Sequence, residues 1–257
     1  MPTLQNKIAF ITGASAGIGR ATAIALANQG AKLLLCARNL DKLQALLPEL
    51  KAAGATGIFT LELDVRDRKA VETKIKELPA DWQQIDILVN NAGLARGLEK
   101  FHLDDPDNWE EMIDTNLKGL LYVTRAVLPG MVARNAGHIV NLGSTAGYQA
   151  YAGGGVYCAT KAGEKILSES IRIDLLGTAI RVTSVDPGMV ETDFSEVRFR
   201  GDKERAAKVY ANTTPLKPED VADAIAYAVT RPPHVNVSNL LLTSISQANA
   251  VSIHRTS

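Results

Sequence analysis

Apolar runs of strand length alternate with longer segments whose apolar positions recur every three to four residues, almost to the end of the chain. The short runs read as buried strands and the longer ones as amphipathic helices. Residues 7–12 predict a first strand, followed by a glycine turn and a helix to about Gln29, with Gly30 as its stop. A second strand is predicted over 32–37, a charged helix over 40–53, a third strand over 58–63 and a helix over 69–78. Residues 85–89 read as a strand from the middle of a parallel sheet. A long helical stretch follows over 107–134, in which Pro129 and Gly130 are expected to kink or end the helix. Three further strands (138–142, 181–185, 240–243) are separated by helices around 155–177 and 219–230. Such alternation predicts a single α/β domain over 1–257: a doubly wound parallel sheet of about seven strands, reached by right-handed crossovers and covered by helices on both faces. The irregular segment 188–216, rich in Arg, Lys, Glu and Thr, is too long for an ordinary connection and is expected to be a lid; a surface insertion is the plainer alternative.

Composition narrows the class. Of 257 residues, 46% are apolar and 22% charged, which excludes disorder, collagen-like repeats and coiled coil. Lysine plus arginine (28) balances aspartate plus glutamate (28), so no net field favours nucleic acid or an anionic membrane. Two cysteines, Cys36 and Cys158, provide no disulfide framework and suit a reducing compartment. Four histidines without a Cys/His cluster predict no metal site. The polar stretch 1–7 leaves no room for a signal peptide, and the longest segment free of charged residues, 135–160, is too rich in Gly, Ser, Thr and Asn to span a membrane. The expectation is a soluble, cytoplasmic protein without nucleic-acid or membrane partners.

The chemistry begins at Thr12-Gly13-Ala14-Ser15-Ala16-Gly17-Ile18-Gly19, between the first strand and the first helix. Glycines there let backbone N–H groups approach a pyrophosphate, and the helix N-terminus adds partial positive charge. A tight turn without a ligand would look similar, but the strand–turn–helix context favours a dinucleotide, with Gly13, Ser15, Gly17, Ile18 and Gly19 as binding residues. At the end of the second strand, Cys36-Ala37-Arg38-Asn39 carries no acid to hold a ribose 2′-hydroxyl. Arg38 suits a 2′-phosphate, hence NADP over NAD; a solvated surface arginine is the bland alternative.

With these residues in view, the chain resembles the short-chain dehydrogenase/reductase family over essentially its whole length, which implies a Rossmann fold. Asn90-Asn91-Ala92-Gly93 resembles that family's second signature, implying cofactor contacts from Asn90, Ala92 and Gly93. Asp64-Val65 resembles the pair that meets the adenine ring, and Pro187-Gly188 with Val190 and Thr192 the segment that holds the nicotinamide carboxamide. Asn116, Ser144, Tyr157 and Lys161 match the catalytic tetrad in order and spacing. A Tyr-x-x-x-Lys pair is weak by itself, since six tyrosines and the chain's lysines would give roughly 0.3 such pairs by chance. Ser144 at a strand end and Asn116 inside the preceding helix make the set specific.

Tyr157 and Lys161 lie four apart, on one face of a helix, where both approach one cofactor ribose. The resemblance implies that Tyr157 is the general acid/base, eased toward phenolate by the Lys161 ammonium, and that Lys161 also binds ribose. It further implies that Ser144 holds the substrate oxygen and that Asn116 anchors a relay water. Several runs resemble the branch of NADP-dependent 3-hydroxy acid dehydrogenases acting on serine, allo-threonine or malonic semialdehyde. They include Tyr151-Ala152-Gly153-Gly154 and Val197-Arg198-Phe199-Arg200-Gly201-Asp202. A 3-hydroxy acid needs its carboxylate neutralised, for which Arg198 and Arg200 are candidates, with Gln149 and Tyr151 shaping the pocket. Asn39 departs from that branch, which often has a second basic residue there, and Met189-Val190-Glu191-Thr192 follows the wider family pattern. The alternatives are a reductase of the same family acting on 3-oxoacyl thioesters or a bulkier carbonyl compound, and a non-catalytic NADP sensor. The resemblance also implies a homotetramer or dimer joined through the helices at 107–134 and 155–177.

Overall fold

The computed structural model describes residues 4–256. Seven parallel strands form one sheet in the order β3-β2-β1-β4-β5-β6-β7. They are β1 (Ile8–Thr12), β2 (Lys32–Ala37), β3 (Gly57–Glu62), β4 (Ile85–Asn90), β5 (Gly137–Leu142), β6 (Ile180–Pro187) and β7 (Asn239–Leu242). The order reverses between β1 and β4, which opens a crevice at the carboxyl ends of those strands.

The apolar strands are buried on both faces, as the continuous hydrophobic runs require. Ala9, Ile11, Leu33 and Leu35 face one core, and Ile8, Phe10, Leu34 and Cys36 the other. Helices α1 (Gly17–Ala27) and α10 (Pro218–Val229) pack together on the first face. Helices α4 (Arg68–Lys76), α6 (Leu120–Arg134) and α7 (Gly155–Asp174) contribute to the second. Asp86, a polar residue within β4, accepts hydrogen bonds from the Ile8 amide and the Lys7 ammonium, both at 2.9 Å, and so ties the start of β1 to its neighbour.

Two helix boundaries differ from expectation. The predicted helix 40–53 is two pieces, α2 (Leu40–Ala45) and α3 (Leu47–Ala52), because Pro48 has no N–H to continue the ladder. The long helical stretch breaks at 113–119 and not at Pro129. Helix α5 (Pro106–Met112) passes into a π-helical turn, Ile113–Gly119, before α6, and Pro129 sits inside α6. A π turn widens the helix by one residue per turn, a distortion often found at functional sites, and this one carries Asn116.

The segment 188–216 is structured. It contains α8 (Phe194–Arg198) and α9 (Lys203–Tyr210), and its two ends meet in a parallel bridge between Val190 and Leu216. No helix among the described residues is long and apolar enough to cross a membrane.

Candidate active site

A cleft of about 980 Å³ opens where β1, β2, β3, β4, β5 and β6 end. Its floor begins at the glycine turn. Gly13 (φ +63°) and Gly17 (φ +50°) occupy the left-handed region that disfavours side chains. A Cβ on Gly19 would collide with the Gly13 carbonyl oxygen, so the third glycine serves helix–turn packing and does not line the cleft. Ser15, Gly17 and Ile18 line it directly.

Asn90 and Asn91 divide the labour of their signature. Asn90 is buried in the sheet, where its amide donates to Thr124 Oγ1 (2.9 Å) and Asn141 Oδ1 (2.8 Å). It is outside the cleft, whereas Ala92 and Gly93 line it. Asn91, which the sequence reading had not singled out, donates to the carbonyls of Thr12 (2.8 Å) and Gly13 (3.1 Å). The Thr12 hydroxyl accepts in return from the amides of Asn91 (3.0 Å) and Ala92 (2.9 Å). These bonds lock the glycine turn onto the end of β4.

At the far end of the cleft, Arg38 and Lys42 line the wall, and Asn39 caps α2 by accepting from the Lys42 amide (2.9 Å). Asp64 and Val65 stand opposite. The Asp64 carboxylate is engaged by the Arg66 guanidinium through Nε (3.0 Å) and Nη2 (2.6 Å). Partial burial opposes its charge, but Arg66 holds the carboxyl below its ordinary range. Arg38, Lys42 and Arg66 thus gather three cations at one end of the site, two of them unread in the sequence because their positions depend on how α2 and the turn after β3 fold back.

The four tetrad residues come from three places in the chain, the π turn, the end of β5 and α7. Ser144 follows β5 and its hydroxyl accepts from the Ala146 amide (3.1 Å). Tyr157 and Lys161 lie on α7, with Lys161 Nζ 5.9 Å from the Tyr157 ring centre. Asn116 is 1% exposed and sits behind the cleft wall. Its side chain donates to Leu94 O (2.9 Å) and Thr160 Oγ1 (3.0 Å) and accepts from the Leu94 amide (2.8 Å), so it spans α7 and the loop after β4. Lys161 Nζ donates to Leu142 O (2.8 Å) and to both oxygens of Glu164 (3.0 and 2.9 Å). Glu164 is a buried acid that no sequence signature marked.

Pro187, Gly188, Val190 and Thr192 line the cleft beside these residues. The backbone there is pinned by Gln247, a buried residue of the C-terminal segment, whose Oε1 accepts from the Met189 amide (2.7 Å). Arg255 bonds the carbonyls of Val209 and Ala211, and the Thr256 amide donates to Asn212 O (2.9 Å), so the chain's end is tied to α9.

Of the four substrate candidates, two are in the cleft. Arg198 Nε donates to Gly97 O (3.0 Å) and Nη2 to Tyr151 Oη (2.8 Å). Its guanidinium carbon lies 5.4 Å from the Tyr157 ring centre. Burial pushes the Tyr151 phenol up to about 12, with Arg198 opposing. Gln149 is exposed and Arg200 donates to Asn108 Oδ1 (2.8 Å); neither lines the cleft. Arg200, at φ +53°, lies between α8 and α9 in the segment 188–216 and is exposed.

A Rossmann sheet with a glycine turn at its switch point and this tetrad beside it defines a class, and the match of residues 7–203 to the short chain dehydrogenase family model shows that the chain belongs to that family. The chain is 51% identical over 250 residues to the NADP-dependent 3-hydroxy acid dehydrogenase YdfG of Salmonella typhi, covering 96% of this chain and 99% of that protein. The protein of the same name from Escherichia coli K12 is 50% identical with equal coverage. A closed form of serine dehydrogenase complexed with NADP+ superposes with a TM-score of 0.91 at 49% identity, covering 97% of this chain and 100% of that one. The chain is therefore an oxidoreductase of the short-chain dehydrogenase family.

Proposed function

We propose that the protein is an NADP-dependent dehydrogenase interconverting a small 3-hydroxy acid, such as serine, allo-threonine or 3-hydroxypropionate, with its 3-oxo acid. The observation that carries the substrate class is Arg198. Its guanidinium stands over the Tyr157 ring, two of its nitrogens are held by Gly97 and Tyr151, and Nη1 makes no hydrogen bond among the described residues. We read that donor as the partner of the substrate carboxylate, with the reacting oxygen at Tyr157. The names of the relatives above agree with this reading.

The site's residues fit the dinucleotide. The glycine turn offers amides to a pyrophosphate, and Arg38, with Lys42 close by, suits a 2′-phosphate. When bound, NADP supplies or accepts the hydride. Tyr157 Oη donates the proton to the carbonyl oxygen in reduction and takes it back in oxidation. Ser144 Oγ orients that oxygen. Lys161 keeps positive charge beside the phenol and offers its ammonium to ribose hydroxyls, and Asn116 fixes the π turn against the loop bearing Leu94, where a relay water would sit. The segment 188–216 acts as a lid whose α8 carries Arg198 over the substrate. The remaining binding roles of Asp64, Val65, Ala92, Gly93, Pro187, Gly188, Val190 and Thr192 are supported by their positions on the cleft wall.

Exposed apolar side chains on the π turn, α6 and α7 (Ile113, Leu121, Val132, Ile166, Ile173) support assembly into a dimer or tetramer through those helices. The free, buried Cys36 and Cys158 agree with a reducing, cytoplasmic setting.

The test follows NADPH and NADH oxidation with malonic semialdehyde, with Tyr157→Phe as control. Turnover preferring NADPH and lost by about 10²–10⁴-fold in the variant is expected for a general acid. Activity confined to an oxoacyl thioester or a bulky ketone would keep the mechanism and overturn the substrate class.

A further inference from the structure

Lys161 is 6% exposed, and its Nζ lies within hydrogen-bond distance of Leu142 O and of both oxygens of Glu164. Glu164 is 2% exposed, lies one turn along α7 from Lys161 and two turns from Tyr157, and therefore shares their face of the helix. Lysine's stated part in this site is to keep positive charge next to the phenol, and a carboxylate placed on the same ammonium opposes that effect. Resting on the assignment of Tyr157 and Lys161 above, we infer that Glu164 is a positioning residue that holds the Lys161 ammonium and, by sharing its charge, sets the pH at which Tyr157 switches between its acid and base forms.

The surroundings make the pair a coupled unit. Burial works against the Lys161 charge, and the Glu164 carboxylate overrides it, holding the ammonium above its ordinary value. Burial pushes the Glu164 carboxyl up, to about 7, against the pull of Lys161, and Asp186 adds to the rise. Asp186, fully buried on β6, is the further acid facing the pair. It accepts hydrogen bonds from Ser184 Oγ (2.6 Å) and from Tyr148 Oη (2.8 Å), which follows β5. Leu142 O from β5 is a further acceptor at Nζ (2.8 Å), and the Ser168 hydroxyl donates to the backbone carbonyl of Glu164 (2.7 Å), not to its carboxylate.

Two acids, Tyr157 and Glu164, thus share one ammonium. The first to ionise neutralises Lys161, and the second must ionise in a buried site that is already neutral. Glu164, in contact with Nζ, takes part of that charge, so less of it acts on the phenol. Replacing the carboxylate by an amide leaves the ammonium uncompensated, which makes the phenolate easier to form. At a separation of two helical turns and an effective dielectric near 20, the displacement is about one pH unit.

Two measurements test this. One is the pH dependence of 3-hydroxy acid oxidation at saturating substrate and NADP+. The other is the phenolate absorbance titration of the protein alone, taken as the difference from Tyr157→Phe. Glu164→Gln is expected to lower both midpoints by about one unit, with Glu164→Asp falling between Gln and wild type. A purely structural role would lower kcat at every pH alike and leave both midpoints in place, and unmoved midpoints overturn the proposal. Should Glu164→Gln fail to fold, an unmoved midpoint in Glu164→Asp overturns it equally. Turnover surviving in Tyr157→Phe would refute the catalytic assignment, whereas loss of turnover there with unmoved midpoints in the Glu164 variants would refute only the role of Glu164.

Discussion

In the proposed reading, Arg198 is the side chain that selects the substrate. Its guanidinium is fixed by Gly97 O from the loop after β4 and by Tyr151 Oη, and it leans on the rings of Tyr151 and Tyr157 (5.6 and 5.4 Å). Orienting the fork before substrate arrives removes much of the ordering cost of a charged contact. Arg198→Ala is therefore expected to raise KM for a 3-hydroxy acid about 10²-fold, the worth of a charge-assisted pair at roughly 2–3 kcal/mol. A neutral secondary alcohol should respond by much less; equal losses for both substrates would remove the carboxylate from the picture. Arg200, two residues on, has no such place: it lies outside the cleft and donates to Asn108.

Among the elements, the junction between β1 and β4 organises the cofactor end. The glycine turn has no regular ladder of its own and is held by the Asn91 amide and the Thr12 hydroxyl. Asn91→Ala would strip two acceptors on the turn of their partner. We expect a loss of about 1–3 kcal/mol in unfolding free energy together with a rise in the Kd for NADPH, read by denaturant titration and by fluorescence quenching. Unchanged Kd in a destabilised variant would limit Asn91 to packing. The π turn at 113–119 plays a comparable part at the catalytic end, since it aims Asn116 at Leu94 and Thr160 together. The periodicity of 107–134 reads as a single helix because no residue type marks a π turn, whereas Pro129, the conspicuous breaker, is absorbed within α6.

For the molecule as a whole, His138 makes stability depend on pH. It is 1% exposed on β5, with Nε2 2.8 Å from Thr183 Oγ1, and burial, helped by the nearby Arg181, pushes its imidazole down to about 3. Between about 3 and the ordinary 6.5 the unfolded chain binds a proton that the folded one refuses, so this residue lowers stability as pH falls through that window. The full slope is about 1.4 kcal/mol per pH unit, or roughly 2 kcal/mol from pH 7 to 5. Glu164 acts with the opposite sign between its usual 4.5 and about 7, where the folded chain holds the extra proton. The His138 contribution is accordingly read by comparing wild type with His138→Gln in urea at the two pH values. A variant that loses as much stability on acidification as wild type would show that His138 is not the source.

The strand–helix alternation, the glycine turn and the tetrad spacing were all legible along the chain, because each rests on residues near one another in sequence whose periodicity or spacing carries the physics. Arg38 and Tyr151 line the cleft, whereas Gln149, named with Tyr151 in the sequence, stands exposed outside it. Folding settled the rest: that Asn90 enters the sheet while Asn91 clamps the turn, that Gly19 packs while Gly17 faces the cleft, and that Arg198 turns inward while Arg200 turns out. It also brought Lys42, Arg66 and Gln247 to the cleft and set Glu164 and Asp186 around Lys161. Linear spacing records which residues share a strand or a helical face, but which side chains meet across elements depends on the register of the sheet and the packing of helices upon it.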